Sequence, residues 1–574
     1  MYEKAGLYLN TIKYLKITQI FYQIKRAVSG DVKADCSGIK MKNPVKLYVP
    51  QLDADDTYIS RFDCDRILAD EIFLLNERHT IDLRYWTIDG QASRLWMFHL
   101  YDMEYLIPLA VFYTRTKNPV YYTKIKELLE TWMDCFSDAA GDGWNAYVIA
   151  KRVPHWLIVM QLLEGRLDQD QTFRQRLELS LYRQYRHLMA NQEKHLLGNH
   201  YFEDLKTLMI AGIAFGEQRN VKKYLDRFRR EIKRQILKDG MHFERSFLYH
   251  KIIMEDILRV FLALGQEKGY ERYLEQLESV LARMLSCTVS FEGGLKRVPL
   301  FNDAGNNEAK TAEALQKGIE RHIRCSGRKG NTNLENTDLG NTELFELPDA
   351  GYYKYRISNL TCIIDCGMIG PSYIPGHGQC DCLSYEVFAN GYPVLVNSGT
   401  YQYQTSLREF FRSTQAHNCF TVNGVGQSQC WGEHRVAKRI SKTRAERTEH
   451  EFTGETVFWN GTKVRRTMQF WEDGFTVQDQ CLNRPDAVIR SYIHLAPGLF
   501  LTKHEGSRYD LEGMESRMHL RLEIMQAAGV YVHEQGTICS YSEEYGSIQK
   551  KKVFEITGNA GSAVVYRIVF LTES

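Results

Sequence analysis

A chain of 574 residues is longer than one ordinary core supports and divides into two or three domains. Its 44% hydrophobic and 25% charged residues are those of a water-soluble globular protein, and 73 Lys+Arg against 71 Asp+Glu leave no global field for a polyanion, which makes nucleic acid a poor partner. Thirteen cysteines, an odd number with no C-x-x-C pair, fit free thiols in a reducing compartment. The first thirty residues show neither an apolar h-region nor a small-residue cleavage site, and no run approaches the roughly 20 apolar residues of a membrane span, so the expected location is cytoplasmic.

In chain order, residues 1–60 read as an N-terminal amphipathic helix and an extended segment. The apolar residues Ile12, Leu15, Ile20 and Ile24 recur at helical spacing, with Lys13, Lys16, Lys25 and Arg26 on other faces. Such a helix either packs on its own domain or makes peripheral contact with a membrane surface. Residues 61–325 carry helical periodicity throughout ("YYTKIKELLETWMDCF", "IIMEDILRVFLALG") and predict repeated helix pairs, with strand-like alternation scarce. Residues 326–346, rich in Asn-Thr, Gly and charge, read as a linker. From 347 to 574 short alternating runs are broken by Asn-Gly pairs at Asn390, Asn423 and Asn460, the signal of antiparallel hairpins.

Four clusters could carry chemistry. In "HLLGNHYFEDL", Gly198 interrupts a helical pattern that resumes at Tyr201, placing Asn199 and His200 at a helix start, where Asn either caps the helix or faces a cleft. In "GMHFERSFLYHKIIMEDIL", Tyr249 and His250 open a helix, with Glu244 and Arg245 just upstream as charge partners or a solvated turn. In "HGQCDCLSYEV", an extended backbone would set His377, Gln379 and Asp381 on one face and Cys380 and Cys382 on the other. The two cysteines lack companion ligands and read as buried small hydrophobes rather than a zinc or redox pair. In "REFFRSTQAHNCFTVNG", Arg412, His417 and Asn418 precede a strand. Trp144, Tyr147 and Trp156 near Arg152, and Trp431 with His434, offer stacking faces and a cation for acidic sugar, or are core and ordinary surface.

Together and in this order, these clusters resemble the heparinase II/III-like polysaccharide lyases. "RLWMFHLYDMEYL", "GWNAYVIAKRVPHWL", "GNHYFEDLKTLMIAG", "ERSFLYHKIIMEDIL" and "RVPLFNDAGN" are similar to successive blocks of that family's helical domain. "DAGYYKYR", "HGQCDCLSYEVFANGYPVLVNSGTYQY" and "RSTQAHNCFTVNG" are similar to blocks of its β-domain. The similarity runs from about residue 80 to 440 and beyond about 445 fades to generic β.

The resemblance implies an N-terminal incomplete (α/α) toroid followed by a C-terminal antiparallel β-sandwich, with the cleft between them. It implies β-elimination on a uronic-acid-containing glycan, an acidic polysaccharide or oligosaccharide, with a link to bacterial capsule or exopolysaccharide metabolism. Asn199 would recognise the carboxylate with His200 beside it, Tyr249 would serve as base and acid, and His377 would be the opposing base or a substrate contact. Trp144, Tyr147, Arg152, Glu244, Arg412 and Trp431 are the candidate substrate contacts.

Where relatives hold a structural zinc, this chain places Gln379, Asn397 and His417, and a neutral amide is a poor Zn²⁺ ligand, so no cofactor is favoured. Two other readings stay open: a glycoside hydrolase using paired carboxylates such as Glu203 or Asp204 with Glu244 or Asp303, and a non-catalytic glycan-binding or assembly protein.

Overall fold

The structure, a computed structural model, describes residues 2–29, 41–42, 44–49, 61–324, 343–513 and 518–571. The N-terminal helical pattern forms two helices, α1 (Tyr2–Ile12) and α2 (Ile17–Ser29), separated by a turn. Much of the segment expected to be a linker lies outside the described residues, but Glu343–Leu347 is a strand, so the β-region starts earlier than its composition suggested.

Between residues 94 and 292 the helices alternate in how they are buried. Ala146–Leu162, Gly198–Ala214 and Phe247–Leu264 are buried on nearly every face. Gln171–Ala190, Gln218–Gln235 and Glu271–Glu292 each bury one stripe, such as Val221, Tyr224, Leu225, Phe228 and Ile232. A helix apolar all round belongs inside, and one with a single apolar stripe belongs outside. The alternation is therefore that of an (α/α) toroid, an inner ring of helices wrapped by an outer one. Leu205, Leu208 and Ile257 of the inner ring are fully buried, each stabilising the fold by roughly 1.5–3 kcal/mol. One element departs from the helical expectation: Glu71–Leu74, Glu77–Asp82 and Thr87–Ile88 form a small antiparallel sheet, too short for its alternation to stand out in the sequence.

The C-terminal region is antiparallel. Glu343–Leu347, Tyr352–Ile357, Leu360–Asp365, Tyr385–Ala389 and Tyr392–Leu395 form a five-stranded sheet in that order. An eight-stranded sheet, which includes Lys463–Trp471, Gly474–Cys481 and Val564–Leu571, packs on one of its faces. Tyr355 stacks on Phe470 across that interface with ring centroids 4.2 Å apart. The other face, through Tyr352, Ile363 and Phe388, joins Phe247, Phe291 and Phe301 of the helical region in a separate core. Covered on both sides, the central strands lose the alternation of a half-exposed strand, and every residue of Tyr385–Ala389 is buried. Two of the Asn-Gly pairs turn as expected, with both φ values positive: 52° and 82° at Asn390–Gly391, and 51° and 74° at Asn423–Gly424.

Candidate active site

The four sequence clusters meet where the five-stranded sheet covers the inner helices. Left-handed φ values at the non-glycine residues Leu197 (65°), Arg245 (59°), Asn302 (56°) and Leu383 (66°) mark the chain there. Such conformations persist where the surroundings over-determine them, and they gather at functional sites.

Tyr249 lies in the first turn of its helix, whose N-cap Ser246 accepts from the Tyr249 backbone N–H. Its ring stacks on His377 with centroids 3.8 Å apart. Its hydroxyl lies 2.8 Å from that of Tyr403, which in turn lies 2.6 Å from that of Tyr545. Burial, with Tyr403 adding to it, raises the Tyr249 pKa well above 10, so the phenol keeps its proton at neutral pH.

His377 donates from Nδ1 to Asp303 Oδ2 at 3.1 Å, which leaves Nε2 without that obligation. Asp303 is fully buried and is gripped by Arg408 through two 2.6 Å contacts, and Gln379 Nε2 donates to it at 3.0 Å. Burial would raise the Asp303 pKa, but Arg408 and His377 outweigh it and hold the carboxyl well below the usual range. His434 completes this corner, its ring 5.6 Å from His377 and 4.6 Å from Tyr403.

Across the cleft, Asn199 stands in the first turn of Gly198–Ala214. The cap position is Leu197, so the N-cap reading of Asn199 does not hold; its Oδ1 accepts from the His200 N–H at 3.0 Å. His200 contacts Glu193 at 2.8 Å and lies over Tyr147 with centroids 4.5 Å apart. Burial opposes charge on His200, but Glu193 outweighs it and raises the pKa. Glu244 Oε1 accepts from the Asn199 N–H at 3.4 Å, while its buried Oε2 has no partner among the described residues. Burial raises the Glu244 pKa. Tyr147 and Tyr249, one tyrosine from each histidine–tyrosine pair, line one cavity with Tyr403, Tyr545 and Lys151.

Other expected contacts have a different place. Trp144 is buried between Trp132 and His187 and donates to the Phe136 carbonyl. Arg152 is fully buried, bonded to Gln184 and to the carbonyls of Tyr101 and Gly143, with Trp132 beneath it. Both are core, out of reach of a ligand. Arg412, also fully buried, clamps the Gly378 carbonyl and so holds the His377 loop rather than a substrate. Trp431 is covered by the N-terminal helices: its Nε1 donates to Thr11, and Tyr8 lies edge-on at 4.6 Å. Three of the four carboxylates weighed for hydrolysis are committed as well, Glu203 to Lys151 and Lys206, Asp204 to the Glu193 N–H and Asp303 to Arg408, which leaves Glu244 without a second carboxylate to pair with.

The segment from His377 to Ser384 is a loop, not a strand, yet its alternation survives. Gln379 and Asp381 turn to Asp303 and the Asn302 N–H, while Cys380 and Cys382 are buried elsewhere, with Cys380 Sγ 3.6 Å from Cys430 Sγ. Gln379 Oε1 lies 2.7 Å from His417 Nε2, whereas Asn397 turns away to Ser384 and the Asn418 N–H. Two amides, one of them facing elsewhere, and one imidazole do not make a zinc donor set. Asp303, His377 and His434 bring three ligand atoms within 4.8 Å of one another. That carboxylate is already neutralised by a buried guanidinium, so a metal ion would have to displace Arg408.

Sequence reasoning missed Tyr403, Tyr545 and Arg408. Tyr403 closes one quoted motif and Arg408 opens another, neither with a distinguishing signal, and Tyr545 lies in a loop where the resemblance has faded.

Residues 54–322 match the family described as heparinase II/III N-terminus, and residues 339–560 match heparinase II/III-like, C-terminal. A heparin-sulfate lyase of Pedobacter heparinus is 23% identical over 254 residues, 39% of this chain and 36% of that protein. Another, of Bacteroides thetaiotaomicron, is 23% identical over 341 residues, 52% of this chain and 46% of that protein. The chain thus spans less than half the length of each of these relatives in the matched region. Among solved structures, a crystal structure of heparinase III aligns with TM-score 0.69 at 16% identity, covering 96% of this chain and 91% of that one. A heparan sulfate lyase mutant from Pedobacter heparinus aligns with TM-score 0.59 at 16% identity, covering 97% and 88%. With its helical and β-regions each matched along most of their length, the chain belongs to the heparinase II/III-like family.

Proposed function

We propose that the protein is a polysaccharide lyase that cleaves a uronic-acid-containing glycan by β-elimination. The observation that carries this reading is the stacked Tyr249–His377 pair, one member from each domain, with His377 fixed by Asp303 and the phenol held protonated. Its matched relatives are heparin-sulfate lyases, which supports an acidic glycosaminoglycan or a related uronate oligosaccharide as the substrate class.

The proton on C5 is weakly acidic while the neighbouring carboxylate carries its charge, so the site must first neutralise that group. The Asn199 amide, the His200 imidazole, whose pKa Glu193 raises, and the Glu244 carboxyl suit this task. Burial favours protonated Glu244, and a protonated carboxyl can donate to a carboxylate. His377 Nε2 then takes the C5 proton. The C5–H electron pair becomes the C4=C5 double bond, the C4–O4 bond breaks, and Tyr249 gives its proton to the leaving O4. Proton return from His377 to the phenolate, beside the Tyr403–Tyr545 hydroxyls, resets the site.

The test is incubation with a panel of uronate polymers and oligosaccharides, read by the ultraviolet absorbance of the conjugated product. Tyr249→Phe and His377→Ala should each lower kcat by about 10²–10⁴. New reducing ends without new absorbance would refute elimination. Binding without turnover in the unmodified protein would favour a glycan-binding role.

A further inference from the structure

An ordinary surface helix turns its apolar stripe to the core and its polar face to water. Helix α2 does the opposite. Ile17, Phe21, Ile24 and Val28 recur at i, i+4, i+7 and i+11, one narrow stripe, and are 85%, 60%, 60% and 81% exposed. The face that holds α2 to the protein is polar. Gln19, nearly fully buried, donates to the Leu196 carbonyl; Arg26 contacts His195; Lys16, from the preceding turn, sits over the Tyr373 ring. Leu9 and Ile12 of α1 are exposed as well.

Charge complementarity identifies what covers the stripe. From α1 through α2 the sequence holds five cations and one carboxylate, Glu3; Lys16 and Arg26 turn to the protein, which leaves Lys4, Lys13 and Lys25 for a docked surface. A second copy meeting the same face across a two-fold axis would set these cations against their own kind. A free acidic glycan would leave the aliphatic stripe in water. An anionic lipid surface satisfies both features, taking the apolar side chains into the acyl boundary and Lys4, Lys13 and Lys25 at the headgroups.

We propose that the α1–α2 segment is a docking face for an anionic membrane surface. Thr11 of α1 and Tyr14 of the turn after it meet Trp431 and Arg439 of the β-region, and Gln19 of α2 meets the toroid loop at Leu196, so the segment is fixed to both regions.

The test is flotation of the full chain with vesicles of phosphatidylcholine alone, or of phosphatidylcholine with about 30% phosphatidylglycerol. The bound fraction should be about tenfold higher on the anionic vesicles and should fall with added salt. Phe21→Glu/Ile24→Glu should abolish binding, and Lys13→Gln/Lys25→Gln should weaken it about tenfold, both with an unchanged thermal midpoint because these side chains face outward. No preference for anionic vesicles, or binding that survives Phe21→Glu/Ile24→Glu, overturns the proposal. So does a dimer in light scattering that this variant dissociates, which would assign the stripe to a second copy.

Discussion

The buried Asp303–Arg408 pair gives the sharpest test of how the site is held. Asp303→Asn keeps the shape of the side chain but removes the charge that compensates an arginine only 2% exposed. Breaking a buried pair in this way costs about 3–5 kcal/mol, because the remaining ion stays desolvated. The substitution also weakens the acceptor that orients His377 and anchors Gln379. Denaturant unfolding at pH 7 should show the loss as a lower midpoint, and the rate of unsaturated product should fall by about 10²–10⁴. The sign with pH is fixed as well. A carboxyl whose folded pKa is depressed contributes stability above its unfolded pKa of about 3.9 and loses it as pH falls toward the folded value. The Asn variant should lack that acid-sensitive component. Asp303→Leu/Arg408→Met removes both charges and should regain most of the stability while staying inactive. An unchanged midpoint for Asp303→Asn, or full activity in the double variant, would refute the reasoning.

His99 lies between Asp102 (3.3 Å) and Glu308 (3.1 Å), where burial opposes its charge but Glu308 and Asp102 raise its pKa to about 10. Its contribution is therefore complete below about 6.5 and lost as pH rises through about 10, a loss that His99→Gln should remove from the alkaline limb of a stability–pH profile. Gly198 has φ +58°, and a Cβ there would come within 2.9 Å of Glu244 Oε1 and 3.4 Å of Ile374 Cδ1. Gly198→Ala should accordingly destabilise by about 1 kcal/mol or more and, by displacing Asn199 and Glu244, raise KM for a uronate substrate. Protein prepared without added zinc should carry no stoichiometric metal by elemental analysis, and a chelator should leave its unfolding midpoint unchanged, because the Gln379, Asn397 and His417 side chains are a poor donor set.

Much of the architecture was legible because its period is repeated many times. Ile253, Ile257 and Val260 mark one helix, and Asn390–Gly391 marks a hairpin, without any knowledge of what they pack against. The small sheet at 71–88 was lost because strands of two to six residues offer too few alternations beside long helices. Trp144 and Arg152 were misplaced for a related reason: an aromatic cluster with an arginine reads alike whether it faces a sugar or, as here, fills a core. Asn199, Tyr249 and His377 stood out through the motifs around them. Tyr545 could not, since it meets Tyr403 across 142 positions of chain, and only the folded sheet brings the two hydroxyls together.

The five-stranded sheet, with aromatic residues on both sides, makes the toroid and the sandwich halves of one object rather than separable modules. Cutting the gene after residue 324 would strip the cover from Phe247, Phe291 and Phe301 and take away His377, Tyr403 and Arg408 in the same stroke. A helical fragment made that way should aggregate as well as be inert. Any variation that evolution or a designer explores in this protein has therefore to be made in the loops around the joint, not by exchanging one half for another.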